Sequence, residues 1–394
     1  MSTASSIALG EIMASKSGSV DPSKFPDEVF DLYSIPAFDS GHPEVVAGKA
    51  IGSAKQVVRP GDVLLSRIVP HIRRAWVVAN GSGRRIIASG EWIVFRSDRV
   101  HPDYLRHVLV GDPFHSQFMN TVAGVGGSLL RARPEHVGKI KIPLPPLPEQ
   151  RRIAKVLDRA EALRTKRRAT LTQLDTLTQS IFLDLFGNAA KKPGGLRRSR
   201  LEQVCESSDD IKCGPFGTQL AKSEVTTQGV PLWGIKNVNA LFDLATHEFL
   251  APKTSSRLAQ YSLRPGDIVM TRKGTVGNCA VYPEYFPAGI MHSDLLRIRV
   301  DRSICEPIFL SHQLHYSKDV ERQLALISGG AVMPGINVTK LKILEVDVPP
   351  LELQHDFVLR VAAIEKLKSS HRASLAELDT LFAVLQHRAF RGEL

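Results

Sequence analysis

Apolar residues recur three and four positions apart along one stretch of the chain: Ile153, Val156, Ala160, Leu163, Leu174, Leu177 and Ile181. That spacing collects them on one face of an α-helix. Pro148 suits a first helical turn, where its missing N–H costs nothing, and no glycine interrupts the run before Gly187, a C-terminal stop. The pattern predicts a helix over about 148–186, which at 1.5 Å per residue is roughly 57 Å long. A second stripe follows the same register near the C-terminus, with Phe357, Ile364, Leu367, Leu378, Leu381 and Leu385. Arg167 and Thr170 break the first stripe, and His371 and Ser374 break the second at the matching places. Two amphipathic helices of equal length predict an antiparallel coiled coil, in which each buries its stripe on the other. The alternative is that each packs only on its own globular neighbour.

The helices belong to a duplication. Pro145-Pro146-Leu147 returns as Pro349-Pro350-Leu351, an offset of 204 residues. At that offset Gln150 falls on Gln354, Leu163 on Leu367, Arg168 on Arg372 and Phe186 on Phe390, and Leu174-Asp175-Thr176-Leu177 falls on the identical Leu378-Asp379-Thr380-Leu381. Arg59-Pro60-Gly61-Asp62 through Arg67 matches Arg264-Pro265-Gly266-Asp267 through Arg272 at an offset of 205. Leu9-Gly10-Glu11-Ile12 has a weaker echo in Leu201-Glu202-Gln203-Val204. Elsewhere the halves diverge, so the chain reads as two homologous modules doing one kind of job on different targets.

Residues 1–143 and 201–347 read as mixed α/β modules rich in strands. DVLLSR and DIVMTR each follow a Pro-Gly turn signal, and AWVVAN, RRIIAS, EWIVFR and LLRIRV are further strands. PDYLRHVLVGDPFHSQFM and PIFLSHQLHYSKDVERQLALI read as helices. Each module closes with an apolar strand running into prolines, IKIPLPPLP and ILEVDVPPLE, which end the strand and launch the long helix. The basic Gly/Pro-containing stretch 188–200 reads as a linker. The expected fold class is therefore α/β (α+β): two strand-rich modules joined by two long helices. The expected domains are 1–143, a spacer helix 144–187, linker and second module 188–347, and a C-terminal spacer helix 348–394.

Charge narrows the function. The net charge of +11 favours a polyanionic partner through attraction to phosphates and counterion release. Cys205, Cys213, Cys279 and Cys305 form no CxxC pair, so neither zinc nor another metal is expected. The N-terminus lacks a basic start and no apolar run approaches the roughly 18 residues of a membrane span, which predicts a cytoplasmic protein without a membrane partner. No GxxxxGK[ST] phosphate loop is present, nor an Asn/Asp-Pro-Pro-Tyr/Phe stretch of the kind that holds a flipped base. Gly124-Val125-Gly126-Gly127-Ser128 lacks the strand, helix and acidic residue of a cofactor loop, and His312 and His315 lack a third ligand. No catalytic residue and no cofactor are expected.

The strand–proline–helix junctions IPLPPLPEQRRIAKVLD and VPPLELQHDFVLRVAAIE, and the module–helix–module–helix layout, resemble the specificity (S) subunit of type I restriction–modification systems over essentially the whole chain. In the second module Ile211-Lys212-Cys213-Gly214-Pro215-Phe216-Gly217-Thr218-Gln219-Leu220, Lys222-Ser223-Glu224 and Gly229-Val230-Pro231-Leu232 are similar to that family's target-recognition domains, as is Ser66 to Arg74 in the first. The resemblance implies a non-catalytic prokaryotic subunit. Each module would read one part of a bipartite, asymmetric double-stranded DNA target, with the helices as a ruler and as the docking site for methyltransferase subunits. Motor–nuclease subunits would join for cleavage. The second junction departs from the full PLPPLPEQ form, with Leu353 and Asp356 where more typical members carry Glu-Gln pairs and basic residues.

Base edges are read by Arg on guanine and by Asn or Gln on adenine, and phosphates by Lys, Arg or backbone N–H. The DNA-facing candidates are Arg67, His71, Arg73, Arg74, Arg131 and Arg133 in the first module, and Lys212, Lys236, Asn237, Arg272, Lys273, Asn337 and Lys340 in the second. Arg67 and Arg272 end equivalent strands and either face DNA or pair with acidic residues. Gly214-Pro215-Phe216-Gly217 either lets backbone approach phosphates or simply turns the chain. The helix-packing and partner-binding candidates are Ile153, Val156, Leu163, Leu174, Leu177, Phe357, Ile364, Leu367, Leu378 and Leu381. The competing function is a stand-alone DNA-binding or scaffold protein that self-associates through its long helices.

Overall fold

A computed structural model describes residues 5–14, 18–81, 83–123, 130–187, 197–328 and 335–394. The glycine-rich loop at 124–128, most of the expected linker (188–196) and Gly329-Gly330 lie outside the described residues. The chain forms two compact units, residues 1–168 with 373–394, and residues 169–372. Each unit holds one strand-rich module, the first half of its own long helix and the second half of the other.

In the first unit, strand β1 (Ser6–Ala8) and strand β2 (Val29–Tyr33) precede a short helix α1 (Ile35–Ser40). Strands β3 (Val63–Ser66), β4 (Ala75–Val77), β5 (Arg85–Ala88) and β6 (Trp92–Phe95) follow, then helix α2 (Pro102–Val110), strand β7 (Lys141–Pro143) and the long helix α3 (Leu147–Phe186). β2 runs parallel to β5, and β3 lies antiparallel between β4 and β6. β1 pairs antiparallel with β7, so the first and last strands of the module are neighbours.

The second unit repeats the scheme with β8 (Arg197–Arg200), β9 (Val230–Trp233), helix α4 (Ile235–Asn239), β10 (Ile268–Thr271), β11 (Cys279–Val281), β12 (Gly289–Met291) and β13 (Leu295–Ile298). Helix α5 (Pro307–Tyr316), strand β14 (Glu345–Val348) and the second long helix α6 (Leu351–Ala389) complete it. β9 is parallel to β12, β10 lies antiparallel between β11 and β13, and β8 pairs antiparallel with β14.

The repeated Arg-Pro-Gly-Asp motif is explained by its turn. Gly61 and Gly266 adopt φ of 85° and 88°, a conformation glycine reaches without strain. Asp62 accepts from the Arg59 N–H at 2.8 Å and pairs in a fork with Arg96 at 2.6 and 2.5 Å. Asp267 accepts from the Arg264 N–H at 2.7 Å and pairs with Arg299 at 2.7 and 2.8 Å. Both aspartates are buried, and two parallel bonds to a planar guanidinium satisfy such a charge well.

A second repeated device ties each module to its helix. Gln150 Oε1 accepts from the His101 N–H at 2.7 Å, while Nε2 donates to the carbonyls of Arg99 at 3.1 Å and Pro145 at 2.8 Å. Gln354 accepts from the Glu306 N–H at 2.8 Å and donates to Ile304 at 3.1 Å and Pro349 at 2.8 Å. The two side chains are 1% and 0% exposed. Beside Gln150, Arg106 of α2 bonds Asp158 at 2.6 Å and Glu161 at 2.9 Å on α3, and His107 Nε2 lies 2.8 Å from Asp158. His107, Asp158 and Glu161 are close enough together to hold a metal ion, but Arg106 already occupies both carboxylates.

Within each unit the two long helices run in opposite directions and pack on one another. In the first, Ile153, Ala154, Leu157 and Ala160 share a core with Phe382 and Ala389; in the second, Phe182 and Phe186 share one with Phe357 and Val361, with Ile364 buried nearby. Each seam also carries a charge. Arg164 Nε bonds Asp379 at 2.5 Å with its guanidinium 4.3 Å from the Phe382 ring centre, and Lys368 Nζ bonds Asp175 and Glu365, each at 2.7 Å. At the offset of 204, Arg164 corresponds to Lys368 and Asp379 to Asp175, so the two salt bridges are one interaction written twice.

These charges correct the expected stripe. Ile153, Phe357 and Ile364 are buried, and Val156, Leu174 and Leu378 are half-buried. Leu163, Leu177, Leu367 and Leu381 are 48, 45, 52 and 49% exposed, each one position off the seam. Hydrophobicity alone selects the leucines, whereas the packed positions fall to Arg164 and Lys368, whose stems are apolar and whose heads are paired.

Three outcomes follow from these contacts. Gln150→Leu and Gln354→Leu should each cost about 2–3 kcal/mol in urea unfolding, because three backbone groups lose a partner that is itself buried. An unchanged midpoint would show that the amide contributes little. Asp175→Ala should cost about 1 kcal/mol, since Asp175 is largely exposed, whereas Lys368→Met should be neutral or stabilising. Burial, then Arg106, pushes the His107 imidazole below its ordinary value against the pull of Asp158, and burial does the same to His312. Below about pH 6.5 the unfolded chain therefore takes up protons that the folded chain refuses, and stability falls. The melting temperature should drop between about pH 7.5 and pH 5.5; a rise would contradict this burial effect.

Candidate nucleic-acid interface

The β3–β4 and β10–β11 hairpins carry most of the expected cationic residues and are built on the same backbone plan. The Ser66 N–H donates to the Arg74 carbonyl at 3.0 Å, and the Thr271 N–H to the Asn278 carbonyl at 2.7 Å. Arg67 and Arg272 leave the strands at equivalent points, donating their N–H to the carbonyls of Glu91 at 3.0 Å and Asp294 at 2.8 Å. Each then receives a later segment, as the Ala132 N–H donates to the Arg67 carbonyl at 2.8 Å and the Ile336 N–H to the Arg272 carbonyl at 3.3 Å.

In the first module, Arg67 and Arg131 converge on Glu91 at 2.9 and 3.1 Å. Burial alone would raise the Glu91 carboxyl, but bonds from Arg131 and Arg67 hold it below the usual range. His71 and Ile72 are exposed in the hairpin loop, where Val69 has φ of +46°. A β-branched residue rarely adopts that conformation, and such strain gathers where surrounding contacts fix a loop for use. The Val69 N–H donates to the Leu130 carbonyl at 3.3 Å and the Ile72 N–H to the Val69 carbonyl at 2.9 Å. Arg73 is held by Asp112 at 2.6 Å and by the Val110 carbonyl at 3.1 Å. Arg74 is mostly buried, 3.7 Å from Asp39. Arg133 is exposed and makes no ion pair among the described residues.

In the second module, the Arg272 guanidinium stacks 4.6 Å from the Phe216 ring centre and donates to the Ile336 carbonyl at 3.0 Å. Phe216 belongs to the Gly-Pro-Phe-Gly stretch, where Gly217 turns the chain at φ +53° and Gly214 lies so close to the His292 backbone that a side chain would collide. Lys273 pairs with Asp294 at 3.2 Å, and His292 approaches the same carboxylate at 3.4 Å. Lys236 and Lys340 are exposed and make no ion pair among the described residues; Lys212 lies on an edge strand opposite the buried Arg297. Asn337 is exposed, and its Oδ1 accepts from the Thr339 N–H at 2.8 Å, capping the following turn.

Asn237 requires a correction. It is 7% exposed, accepts from the Gly234 N–H and donates to the Leu244 carbonyl, both at 3.0 Å. Its amide holds the chain around α4 and is closed to a base. The asparagine that faces outward from that helix is Asn239, whose Oδ1 accepts from Thr275 Oγ1 at 2.9 Å and Asn278 Nδ2 at 2.8 Å. Asn237 and Asn239 lie in one short segment, and only the helix phase separates the buried one from the exposed one.

The comparisons with known proteins agree with this duplicated frame. The family described as Type I restriction modification DNA specificity domain matches residues 83–173 and 195–379. The putative type I restriction enzyme MjaX specificity subunit of Methanocaldococcus jannaschii is 21% identical over 369 residues, 90% of this chain and 83% of its own length. The type I restriction enzyme EcoKI specificity subunit of Escherichia coli K12 is 24% identical over 298 residues, 71% of this chain and 63% of its own. A solved structure from work on complex assembly and conformational transition of the type I R-M system superposes with a TM-score of 0.57 at 25% identity, covering 99% of this chain and 98% of that one. The S subunit of a type I restriction-modification system from M. genitalium shares the fold with a TM-score of 0.59 at 11% identity, covering 98 and 96% of the two chains. The chain belongs to the type I restriction–modification DNA specificity family.

Proposed function

We propose that this chain is the DNA-recognition subunit of a type I restriction–modification complex, and that its two modules read the two parts of a bipartite, asymmetric target. The observation that carries this reading is the pair of hairpins. Matching backbone bonds hold the strand ends of both hairpins, yet Arg67 to Arg74 and Arg272 to Asn278 share little beyond the first arginine. A constant frame presenting different side chains is what two readers of different sequences need. His71, Arg73, Arg133, Lys236, Lys273 and Lys340 would meet phosphates, which makes affinity fall steeply with salt. The four-part division at residues 143, 187 and 347 is the matching functional division into recognition modules and helices.

The partners follow from the same reading. Methyltransferase subunits would dock on the long helices, where Leu163, Leu177, Leu367 and Leu381 are exposed, and motor–nuclease subunits would join for cleavage. Self-association through the helices is less favoured, because each unit already buries its helical seam internally. No helix among the described residues is long and apolar enough to cross a membrane, and a subunit acting on host DNA would work in the prokaryotic cytoplasm.

Co-expression with the methyltransferase subunit encoded beside this chain, followed by mapping of modified adenines, tests the function. One asymmetric bipartite motif, lost when this chain is omitted, is the expected outcome; a continuous motif, or none, would overturn it. Replacing Leu163 and Leu381 by glutamate should weaken co-purification of the methyltransferase roughly tenfold or more while leaving the melting temperature near that of the parent, since both leucines lie off the seam. Undiminished co-purification would place the docking surface elsewhere.

A further inference from the structure

The duplication singles out one pair of side chains in each module. Helix α1 follows β2, and helix α4 follows β9, each of these strands being parallel to a partner later in its module. The fifth residue of α1 is Asp39 and the fifth of α4 is Asn239. The residue that closes each hairpin, immediately before its second strand, is Arg74 in one module and Asn278 in the other; their carbonyls accept the equivalent Ser66 and Thr271 N–H groups. The two positions meet in both modules. Asp39 lies 3.7 Å from Arg74, and Asn239 accepts from Asn278 at 2.8 Å. The frame around them is constant, as the Asp62–Arg96 and Asp267–Arg299 pairs show, while this pair changes from ionic to amide.

The change alters what each pair can offer a base. Asn239 Oδ1 already accepts from Thr275 and Asn278, so the group it can present is its Nδ2 donor. Asn278 uses Nδ2 within the pair and keeps its Oδ1 acceptor. A donor beside an acceptor complements the major-groove edge of adenine, which shows the N7 acceptor and the N6 amino donor. A single asparagine normally supplies both groups; here two interlocked amides would divide the task. Arg74 has only donors and Asp39 only acceptors, which suits the N7 and O6 acceptors of guanine and the N4 amino donor of its paired cytosine. Asp39, Asn239 and Thr275 are exposed and Asn278 is half-buried, while the Arg74 side chain is 11% exposed with its Nε buried, so only the outer end of its guanidinium is open to a base. Lys236 and Lys273 share an element with the amide pair, as His71 and Arg73 do with Arg74, so cations stand ready for flanking phosphates.

We propose that this helix–hairpin pair is a specificity-determining element in each module, with Asn239 and Asn278 reading an adenine and Asp39 and Arg74 reading a G·C pair. The proposal rests on the DNA-recognition function above and names the residues and bases through which it works.

The test uses the full-length chain in complex with its methyltransferase subunits and duplexes carrying the mapped target. Each adenine is replaced in turn by 7-deazaadenine, which lacks N7, or by purine, which lacks the N6 amino group. At one adenine of one half-site, either analogue should weaken binding by roughly ten- to a hundredfold. At that position alone, the Asn278→Ala complex should no longer distinguish adenine from purine, which lacks the amino group that Asn278 Oδ1 would accept from. At one guanine of the other half-site, 7-deazaguanine should have the same effect, and Asp39→Ala should relax the preference for G·C there. The analogue scan on the unsubstituted complex needs no variant to fold. A complex that binds a bipartite target with no adenine coupled to Asn278 and no guanine coupled to Asp39 would overturn this proposal alone. A complex that binds no bipartite target would overturn the DNA-recognition function with it.

Discussion

The architecture depends on one buried amide used twice. Gln150 and Gln354 stand in the first turn of the long helices, where chain leaving a module becomes helix. Each amide ties three stretches together: the helix that carries it, the proline junction just before, and the loop that leads into α2 or α5. The amides that make these bonds are themselves buried. The direction in which each helix leaves its own module is therefore held by hydrogen bonds to a buried amide.

With the frame fixed in this way, a few fold-building positions recur in both copies while most of the rest diverges, the hairpins included. Asp62 and Asp267 are buried and paired in both copies, and the glycines before them make the same turn. Even the shared arginine at the head of each hairpin has two uses, since Arg67 reaches Glu91 while Arg272 lies over Phe216. Positions that build the fold keep their chemistry across the repeat, and positions that end on the surface of the hairpins do not. That separation lets one scaffold serve two targets.

The fold was legible in the sequence to the extent that its patterns were local or repeated. The three-and-four spacing found both long helices, the Pro-Gly-Asp turns found β3 and β10, and the proline junctions found β7 and β14. The helical seam was misread at Leu163, Leu177, Leu367 and Leu381 because a rule based on hydrophobicity passes over Arg164 and Lys368, whose suitability depends on acids over 190 residues away in sequence. Gln150 and Gln354 were aligned by the repeat but given no role; a glutamine held in register between otherwise divergent neighbours was the available signal. Charge density picked out the cations of the hairpins in the sequence, whereas the contacts of Asp39 with Arg74 and of Asn239 with Asn278 had no sequence signal, because only the folded module places a short helix against the end of a distant hairpin.

The salt bridges of the helix pair have a purpose that leucines could not serve. An all-apolar seam would tolerate a slip of one heptad with little loss. Here a slip of seven residues in one direction would carry Arg164 from Asp379 to Arg372 and Lys368 from Asp175 to Arg168, setting like charges against each other in both places. A slip in the other direction would set Arg164 against Gln386 and Lys368 against Phe182, leaving two mostly buried cations without their cross-helix acids. Such cations cost far more than the apolar contacts they displace. Because the same pair occurs in each half of the repeat, either unit alone disfavours both one-heptad slips, and a single register is what a protein needs if two separate readers are to address one DNA molecule in step.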